Sequence, residues 1–333
     1  MNRRKGLYIL DGPSVDLIYG PDVRRDIDGL VDIYAPPQTA ASVLTDPTLL
    51  REAEVIFSGW GGPVMDERFL EAAPNLRAVF YGSGSIKRLT TAAFWQREIL
   101  ITSAYAANAV PVAEYTLGAI LLSLKHFWRY ALLAKNGAGW GDHTRPLPGG
   151  YRATVGLVSF GMIARQTAEL LRSFDVECLV FCPFLSEAKA REHRVQRCSL
   201  AEVFARSDVI SLHTPELPET LGMITGELIG SMKPDATLIN TARGAVVREP
   251  EMIAVLRRRP DLTAVLDVTH PEPPLADSPL LTLPNVVLSP HIAGSMGREI
   301  ERLGRYMVDE LQRYLAGQPL RWQITRQLAE TLA

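Results

Sequence analysis

Cysteine is scarce in this chain: Cys178, Cys182 and Cys198 are the only three among 333 residues. Three thiols make no disulfide framework and no secretory signal is legible, so a reducing compartment, the cytoplasm, is expected. Met1-Asn2-Arg3-Arg4-Lys5 is basic, but the apolar stretch behind it, Leu7-Tyr8-Ile9-Leu10, stops at Asp11 and is too short for a signal-peptide core. It reads as a first strand. Charge of one sign is also lacking. With 35 Lys+Arg against 37 Asp+Glu the net charge is −2, which gives no field to draw nucleic acid or an anionic membrane. Long apolar runs are missing too. The longest, Tyr115 to Leu124, lies between Glu114 and Lys125; it falls short of the roughly 20 residues that span a bilayer and reads as a buried helix.

Sparse cysteines can still hold a metal, here with His193 as a fourth ligand. Val176 to Cys182 reads as a strand, however, and residues four apart on a strand lie about 13 Å from each other. Cys178 and Cys182 cannot then share a zinc at bond lengths of about 2.3 Å. No metal site is expected.

A chain of 333 residues exceeds what one hydrophobic core usually serves, and two domains follow. From Leu7 to about Ser103, short apolar runs (Glu54 to Ser58, Leu76 to Tyr81) alternate with helical stretches such as Asp66 to Ala73, the pattern of an α/β half. A long apolar helix starts at Asn108, a candidate N-cap, and ends before the Gly/Pro-rich stretch Asn136 to Gly150. A second α/β half opens at Ala153 to Val158. Its strands recur at Cys178–Phe181, Val209–Leu212, Thr237–Asn240, Ala264–Asp267 and Val286–Leu288, as in a doubly wound parallel sheet. Arg257-Arg258-Arg259 reads as a solvated helix end, and a last helix runs from about Arg298 to Leu315.

Three side chains in the second half suit acid chemistry. Arg243 stands in Asn240-Thr241-Ala242-Arg243-Gly244, Glu272 in Leu266-Asp267-Val268-Thr269-His270-Pro271-Glu272-Pro273, and His291 in Ser289-Pro290-His291-Ile292-Ala293-Gly294. A cation that forks onto a carboxylate or carbonyl, a carboxylate, and an imidazole can orient a hydroxy or keto acid and move its proton. Upstream, strand, tight turn and helix follow one another at Val155 to Arg165, where a dinucleotide fingerprint would place Ser159, Gly161 and Ala164 at its three small-residue positions, with Met162 and Ile163 opening the helix. Glycine is kept at the second position, where the phosphate comes close, and replaced by serine at the first. About twenty residues later, at the end of the next strand, a carboxylate normally grips the adenosine ribose. That position is Cys182.

These motifs, with Ser207 to Pro215, Pro218-Glu219-Thr220 and Met232 to Asn240, closely resemble the D-isomer-specific 2-hydroxyacid dehydrogenases, phosphoglycerate dehydrogenases and glyoxylate/hydroxypyruvate reductases among them. The resemblance is dense from about Val155 to Gly294 and looser before that. It implies an α/β fold of two Rossmann-like doubly wound domains, a flavodoxin-like substrate domain (1–103 with 298–333) and an NAD(P)-binding domain (104–297). It implies hydride transfer between NAD or NADP and a small 2-keto or 2-hydroxy acid, with Arg243 holding the substrate, His291 exchanging the proton and Glu272 orienting the imidazole. His213, Thr214, Pro215, Thr220, Thr241, Ala242, Asp267, His291 and Gly294 would approach the coenzyme. Tyr81-Gly82-Ser83-Gly84-Ser85 resembles the loop whose N–H groups take the substrate carboxylate, and Trp60 and Trp140 are candidates for an aromatic pocket, as is Trp95. Relatives also imply a homodimer through residues 107–150.

The chain departs from the family pattern at Ser159, at Met162 where an arginine is common, at Cys182 where an aspartate is usual, and at Ile86-Lys87, where an Asp-Asn pair commonly follows the loop. Without a carboxylate at 182, discrimination between NAD and NADP should be weak, with NAD favoured. Lys87 or Arg88 stands where a second anionic group on a substrate would need a cation, and the plainer role is solvated surface. A different class of function is open at this point: a nucleotide-sensing interaction protein, like the corepressors that share this fold.

Overall fold

The computed structural model describes residues 3–137 and 147–331. The chain forms two compact units, Met1–Ala109 with Ser295–Ala333 and Val110–Gly294, so the second is inserted into the first. In the first unit, β1 (Lys5–Ile9), β2 (Asp32–Ile33), β3 (Val55–Ser58), β4 (Ala78–Tyr81) and β5 (Leu100–Ser103) form a parallel sheet in the order β2-β1-β3-β4-β5. This is the flavodoxin-like order. Helices α1 (Gly12–Ile18), α2 (Pro21–Leu30), α3 (Ala40–Thr45), α4 (Glu67–Ala72) and α5 (Ala92–Gln96) connect the strands. Asp66 caps α4 by accepting the Phe69 N–H at 2.9 Å, as its side chain suits it to do.

β3 and β4 are buried along their whole length, the condition of strands covered on both faces. Alternation sends Ile56, Val79 and Tyr81 into one core and Val55, Phe57, Ala78 and Phe80 into the other.

Helix α6 (Tyr105–Leu124) carries the chain from the first unit into the second and is followed by α7 (Phe127–Lys135). The helix begins three residues before the start expected at Asn108, which is therefore no N-cap. Ser103 accepts the Tyr105 N–H instead, at 3.2 Å, and the Asn108 amide oxygen receives the Ser295 N–H at 2.8 Å. With those added residues α6 is long and apolar enough, by length and composition alone, to cross a membrane; more than half of it is buried inside the protein.

The second unit holds β6 (Ala153–Val158), β7 (Val176–Phe181), β8 (Gln196–Arg197), β9 (Val209–Leu212), β10 (Thr237–Asn240), β11 (Thr263–Leu266) and β12 (Val286–Leu288), all parallel, in the order β12-β11-β10-β9-β6-β7-β8. The strand order reverses beside β6, as in dinucleotide-binding sheets. Helices α8 (Met162–Leu171), α9 (Glu187–Glu192), α10 (Leu200–Arg206), α11 (Gly226–Gly230) and α12 (Glu249–Arg258) cross between strands. Val155, Leu157, Val180, Val209, Ile239 and Val265 fill one face, and Val158, Leu179, Ile210, Leu212, Leu238 and Leu266 the other. The α/β architecture of two doubly wound parallel sheets is the one the sequence led us to expect.

One further expectation changes. Arg259 is not a solvated helix end: its guanidinium forks onto Asp261, at 2.6 and 3.0 Å, and donates to the Gly230 carbonyl at 3.0 Å, fastening the end of α12 to the loop after α11. That hydrogen bonding holds the Asp261 carboxyl below its ordinary range. The cysteines are all free thiols, Cys178 being pushed up to about 11 by burial. Among the described residues no three His, Cys, Asp or Glu side chains are grouped to hold a metal.

After Gly294 the chain returns to the first unit as α13 (Ile300–Leu315) and α14 (Arg326–Ala329). Leu303, Met307 and Leu311 complete the core beside Ile18, Val23 and Ile27. The approach is close because residue 304 is glycine: a Cβ there would lie 1.9 Å from the Ile18 carbonyl oxygen, a backbone atom that cannot step aside. Gly304→Ala is therefore expected to cost about 1–3 kcal/mol in urea unfolding, as overpacking does. Gly29→Ala, on an open face of α2, should leave stability unchanged or slightly raised.

Candidate active site

Three neighbouring strands of the second unit, β10, β11 and β12, end at the same edge of their sheet. The loops leaving them carry Arg243, Asp267 to Glu272, and His291. His291 has left-handed backbone, φ 54°, a conformation that costs a non-glycine residue energy unless its surroundings impose it. They do. The His291 N–H donates to the carbonyls of Asp267 (2.9 Å) and Ser289 (3.0 Å). The buried Asp267 carboxylate accepts Ile292 N–H and Ala293 N–H, both at 2.9 Å, and the Ser289 hydroxyl at 2.6 Å. Fixed in this turn, the imidazole sets Nδ1 2.6 Å from Glu272 Oε1. Both side chains stay about half exposed. Nε2 has no partner among the described residues and is available to exchange a proton with a ligand.

Arg243 is held through its backbone. The Asn240 side chain, buried at the end of β10, donates to the Arg243 carbonyl (2.9 Å) and accepts the Ala242 N–H (3.0 Å). Gly244 lets this loop lie on the next one, since a Cβ would fall 2.1 Å from the Thr269 carbonyl. The guanidinium spends one donor on the Ala242 carbonyl at 2.7 Å and keeps the others, a fork suited to a carboxylate and an adjacent carbonyl. Glu272 lies between two cis peptide bonds, His270–Pro271 and Glu272–Pro273.

The turn after β6 fits a dinucleotide. Ser159 adopts φ 73°, the conformation glycine would take there without steric cost. Its hydroxyl meets Thr214 Oγ1 at 3.1 Å and its N–H donates to the Phe181 carbonyl at 2.7 Å, so the substitution that departs from the fingerprint still forms the turn. Gly161 caps α8 with no side-chain cap and no acidic residue in the first turn. A Cβ at 161 would meet nothing within 4 Å, leaving open space before the helix. The N–H groups of Met162 and Ile163 can then face a phosphate. Ala164 is fully buried, as close packing at the third small position requires.

Cys182 is partly exposed at the end of β7. His213, after β9, has a sealed and unpartnered Nε2, and burial pushes its pKa down to about 4, so the ring is neutral at neutral pH. Thr214 is buried, and Thr220 ties its own loop together by donating to the Pro215 carbonyl at 2.6 Å and accepting the Leu217 N–H at 2.9 Å. Asp267 likewise spends both carboxylate oxygens on the His291 turn. Gly294 is the last residue of the unit.

In the first unit, the loop Ser83-Gly84-Ser85 is supported from β5: Ser103 Oγ donates toward the carbonyls of Ser83 and Gly84, at 2.8 and 2.5 Å, and Ala104 N–H reaches the Ser83 carbonyl at 3.0 Å. Ile86 is buried beneath it. With its carbonyls turned inward, the loop leaves the Gly84 and Ser85 N–H groups without a partner among the described residues. Lys87 and Arg88 are exposed. Trp60 packs against a core cluster and Trp95 stands edge-on to Phe94; Trp140 lies outside the described residues. Sequence reasoning passed over Asn240, Gly244, Ser289 and Ser103 as site residues. Their signal was a small or polar residue at the end of a buried apolar strand, inside motifs already singled out.

Residues 117–293 match the D-isomer specific 2-hydroxyacid dehydrogenase NAD binding domain. The (S)-sulfolactate dehydrogenase of Chromohalobacter salexigens is 34% identical over 287 residues, 82% of this chain and 92% of that protein. The D-3-phosphoglycerate dehydrogenase of Archaeoglobus fulgidus is 28% identical over 258 residues, 77% of this chain and 49% of its own length, so the chain spans about half of that relative. Among solved structures, D-lactate dehydrogenase from Aquifex aeolicus complexed with NAD and lactic acid is similar with a TM-score of 0.72 and 26% identity, covering 94% of this chain and 96% of that one. A family domain matched over more than half the chain, on a sheet of dinucleotide-binding order that ends in this Arg, Glu and His, places the protein among the D-isomer specific 2-hydroxyacid dehydrogenases.

Proposed function

We propose that this protein reversibly reduces a small 2-keto acid to its D-2-hydroxy acid. The observation that carries the reading is the 2.6 Å pair of His291 Nδ1 and Glu272 Oε1, mounted on a strained turn next to the loop of Arg243. Arg243 donates to the substrate carboxylate and keto oxygen and so fixes C2. His291 gives a proton from Nε2 to that oxygen as it gains charge, and takes it back in the reverse direction. Glu272 accepts from Nδ1, which fixes the tautomer and orients the ring. A nicotinamide coenzyme, when bound, supplies or receives the hydride at C2. The α8 N-terminus with Met162 and Ile163 would hold its pyrophosphate, and Cys182 would lie at its adenosine ribose.

The names of the relatives support a three-carbon substrate with a terminal sulfonate or phosphate as one candidate class. The test is oxidation of NADH or NADPH by purified protein given glyoxylate, hydroxypyruvate, phenylpyruvate, or a 3-carbon keto acid ending in sulfonate or phosphate. Coenzyme binding with no turnover on any of them would favour a nucleotide-sensing role. With the substrate found, His291→Ala should cut kcat by about 10²–10⁴ with the coenzyme KM little changed, and Glu272→Gln should lower kcat as well. Equal turnover in His291→Ala would remove the assignment.

The coenzyme preference rests on Cys182. A thiol neither accepts both ribose hydroxyls nor repels a 2′-phosphate, so NADH and NADPH should both serve. Cys182→Asp is expected to shift the ratio of kcat/KM for NADH over NADPH toward NADH by about 1–3 kcal/mol. A wild-type ratio already above about a thousandfold would mean that another residue selects, since that exceeds what one such contact supplies.

Self-association through 107–150 belongs to the same reading. Helix α7 has no buried residue and leaves Phe127 and Leu132 half exposed, an apolar surface that a second copy would cover. Sedimentation at micromolar concentration should give a dimer, and Phe127→Glu should shift it toward monomer.

A further inference from the structure

Beneath the catalytic loops, two successive residues of α6 reach two different strand ends. Tyr115 Oη lies 2.8 Å from Ser289 Oγ, and Thr116 Oγ1 lies 3.2 Å from Thr241 Oγ1. The direction of the first bond follows from its continuation. Ser289 has a single hydroxyl proton, and it goes to Asp267 Oδ1 at 2.6 Å, an oxygen that accepts it. Tyr115 must therefore donate to Ser289. A chain of donors runs from Tyr115 through Ser289 to Asp267, whose two oxygens hold the Ile292 and Ala293 N–H groups and so the left-handed turn of His291. The neighbouring Thr116 is fully buried and meets the residue two before Arg243.

We propose that Tyr115 and Thr116 are positioning residues for the reaction, Tyr115 setting His291 through Ser289 and Asp267, and Thr116 setting Arg243 through Thr241. The rest of the structure explains why a dedicated support is needed. The His291 backbone is in a conformation it would leave if its bonds loosened, and the His291 and Glu272 side chains are about half exposed, so packing does not fix them. The Asp267 carboxylate holds the two residues after His291, and the Ser289 hydroxyl is the side chain that helps orient it. On the Arg243 side, Asn240 fixes the loop by its backbone, and Thr116 adds a side-chain hydrogen bond to Thr241. One helical turn thus adjusts both the proton donor and the carboxylate clamp.

This inference rests on the reading of the site as a 2-keto acid reductase, and its test has an arm that does not. Because each residue acts on a different catalytic group, the two should separate kinetically. Tyr115→Phe and Ser289→Ala are expected to lower kcat about tenfold or more while the keto-acid KM stays within about twofold, the effect of misplacing a group that acts in the transition state. Thr116→Val is expected to raise the keto-acid KM by about fivefold or more with kcat less affected, since it loosens the clamp. Ser289→Thr and Thr116→Ser, which keep the hydroxyls, should restore wild-type behaviour.

The second arm is the ¹H–¹⁵N NMR signal of the His291 ring N–H bonded to Glu272, assigned by its loss in Glu272→Gln. It should weaken or broaden in Tyr115→Phe and Ser289→Ala and persist in Thr116→Val. If no keto acid is turned over, this arm decides the Tyr115 path by itself. An intact ring signal in Tyr115→Phe and Ser289→Ala would overturn the relay to His291. Unchanged kinetics in all three variants would overturn the proposal, as would equal losses in all of them accompanied by the same drop in melting temperature, the mark of a merely structural role.

Discussion

The second unit depends on what a buried carboxylate does when it cannot reach water. Asp267, buried just after β11, has to find several donors or pay the cost of an unpaired charge in the interior. It finds them in the loop after β12: two backbone N–H groups and a serine hydroxyl. The loop cannot then relax to a right-handed conformation, and the histidine at its centre is presented toward the carboxylate of the adjacent loop. Burial, charge and strain are here one arrangement, in which the unfavourable terms are local and the donors of Asp267 offset them.

The same economy governs the approach of the loops to each other. Gly244 has ordinary backbone angles and no need of glycine's freedom; it is there because the Thr269 carbonyl occupies the place of a side chain. A residue with no side chain thus sets how near the Arg243 loop comes to the segment of Glu272. At the coenzyme turn the logic reverses. Ser159 takes a conformation that belongs to glycine, and the Thr214 hydroxyl partners it.

Much of this could be read from the sequence, for reasons specific to each part. The strands were visible because buried parallel strands are runs of Val, Ile and Leu bounded by polar residues, and the inserted sheet follows from six such runs after Ala153. Arg243, Glu272 and His291 stood out because motifs keep their order. What escaped was of two kinds. The start of α6 was placed at Asn108 because asparagine is a good cap in isolation, whereas tertiary structure engages that side chain with Ser295 and lets Ser103 serve the helix. The supports of the site were missed because Tyr115 and Thr116 lie more than a hundred residues from the loops they hold, in a stretch whose composition announces only burial. Arg259 was misread for a similar reason, since nothing local reveals that Asp261 and the Gly230 carbonyl await it.

The insertion of one unit into the other has a bearing on how the chain is made. The first unit supplies residues 1–109, then waits for 185 more before α13 arrives with Leu303, Met307 and Leu311. During synthesis the core that its sheet shares with α1 and α2 stays incomplete, while the inserted unit, whose sequence is continuous, can already close its own core. The unit entered first along this sequence is the one completed last: until α13 is made, Ile18, Val23 and Ile27 lack the Leu303, Met307 and Leu311 side chains of their cluster.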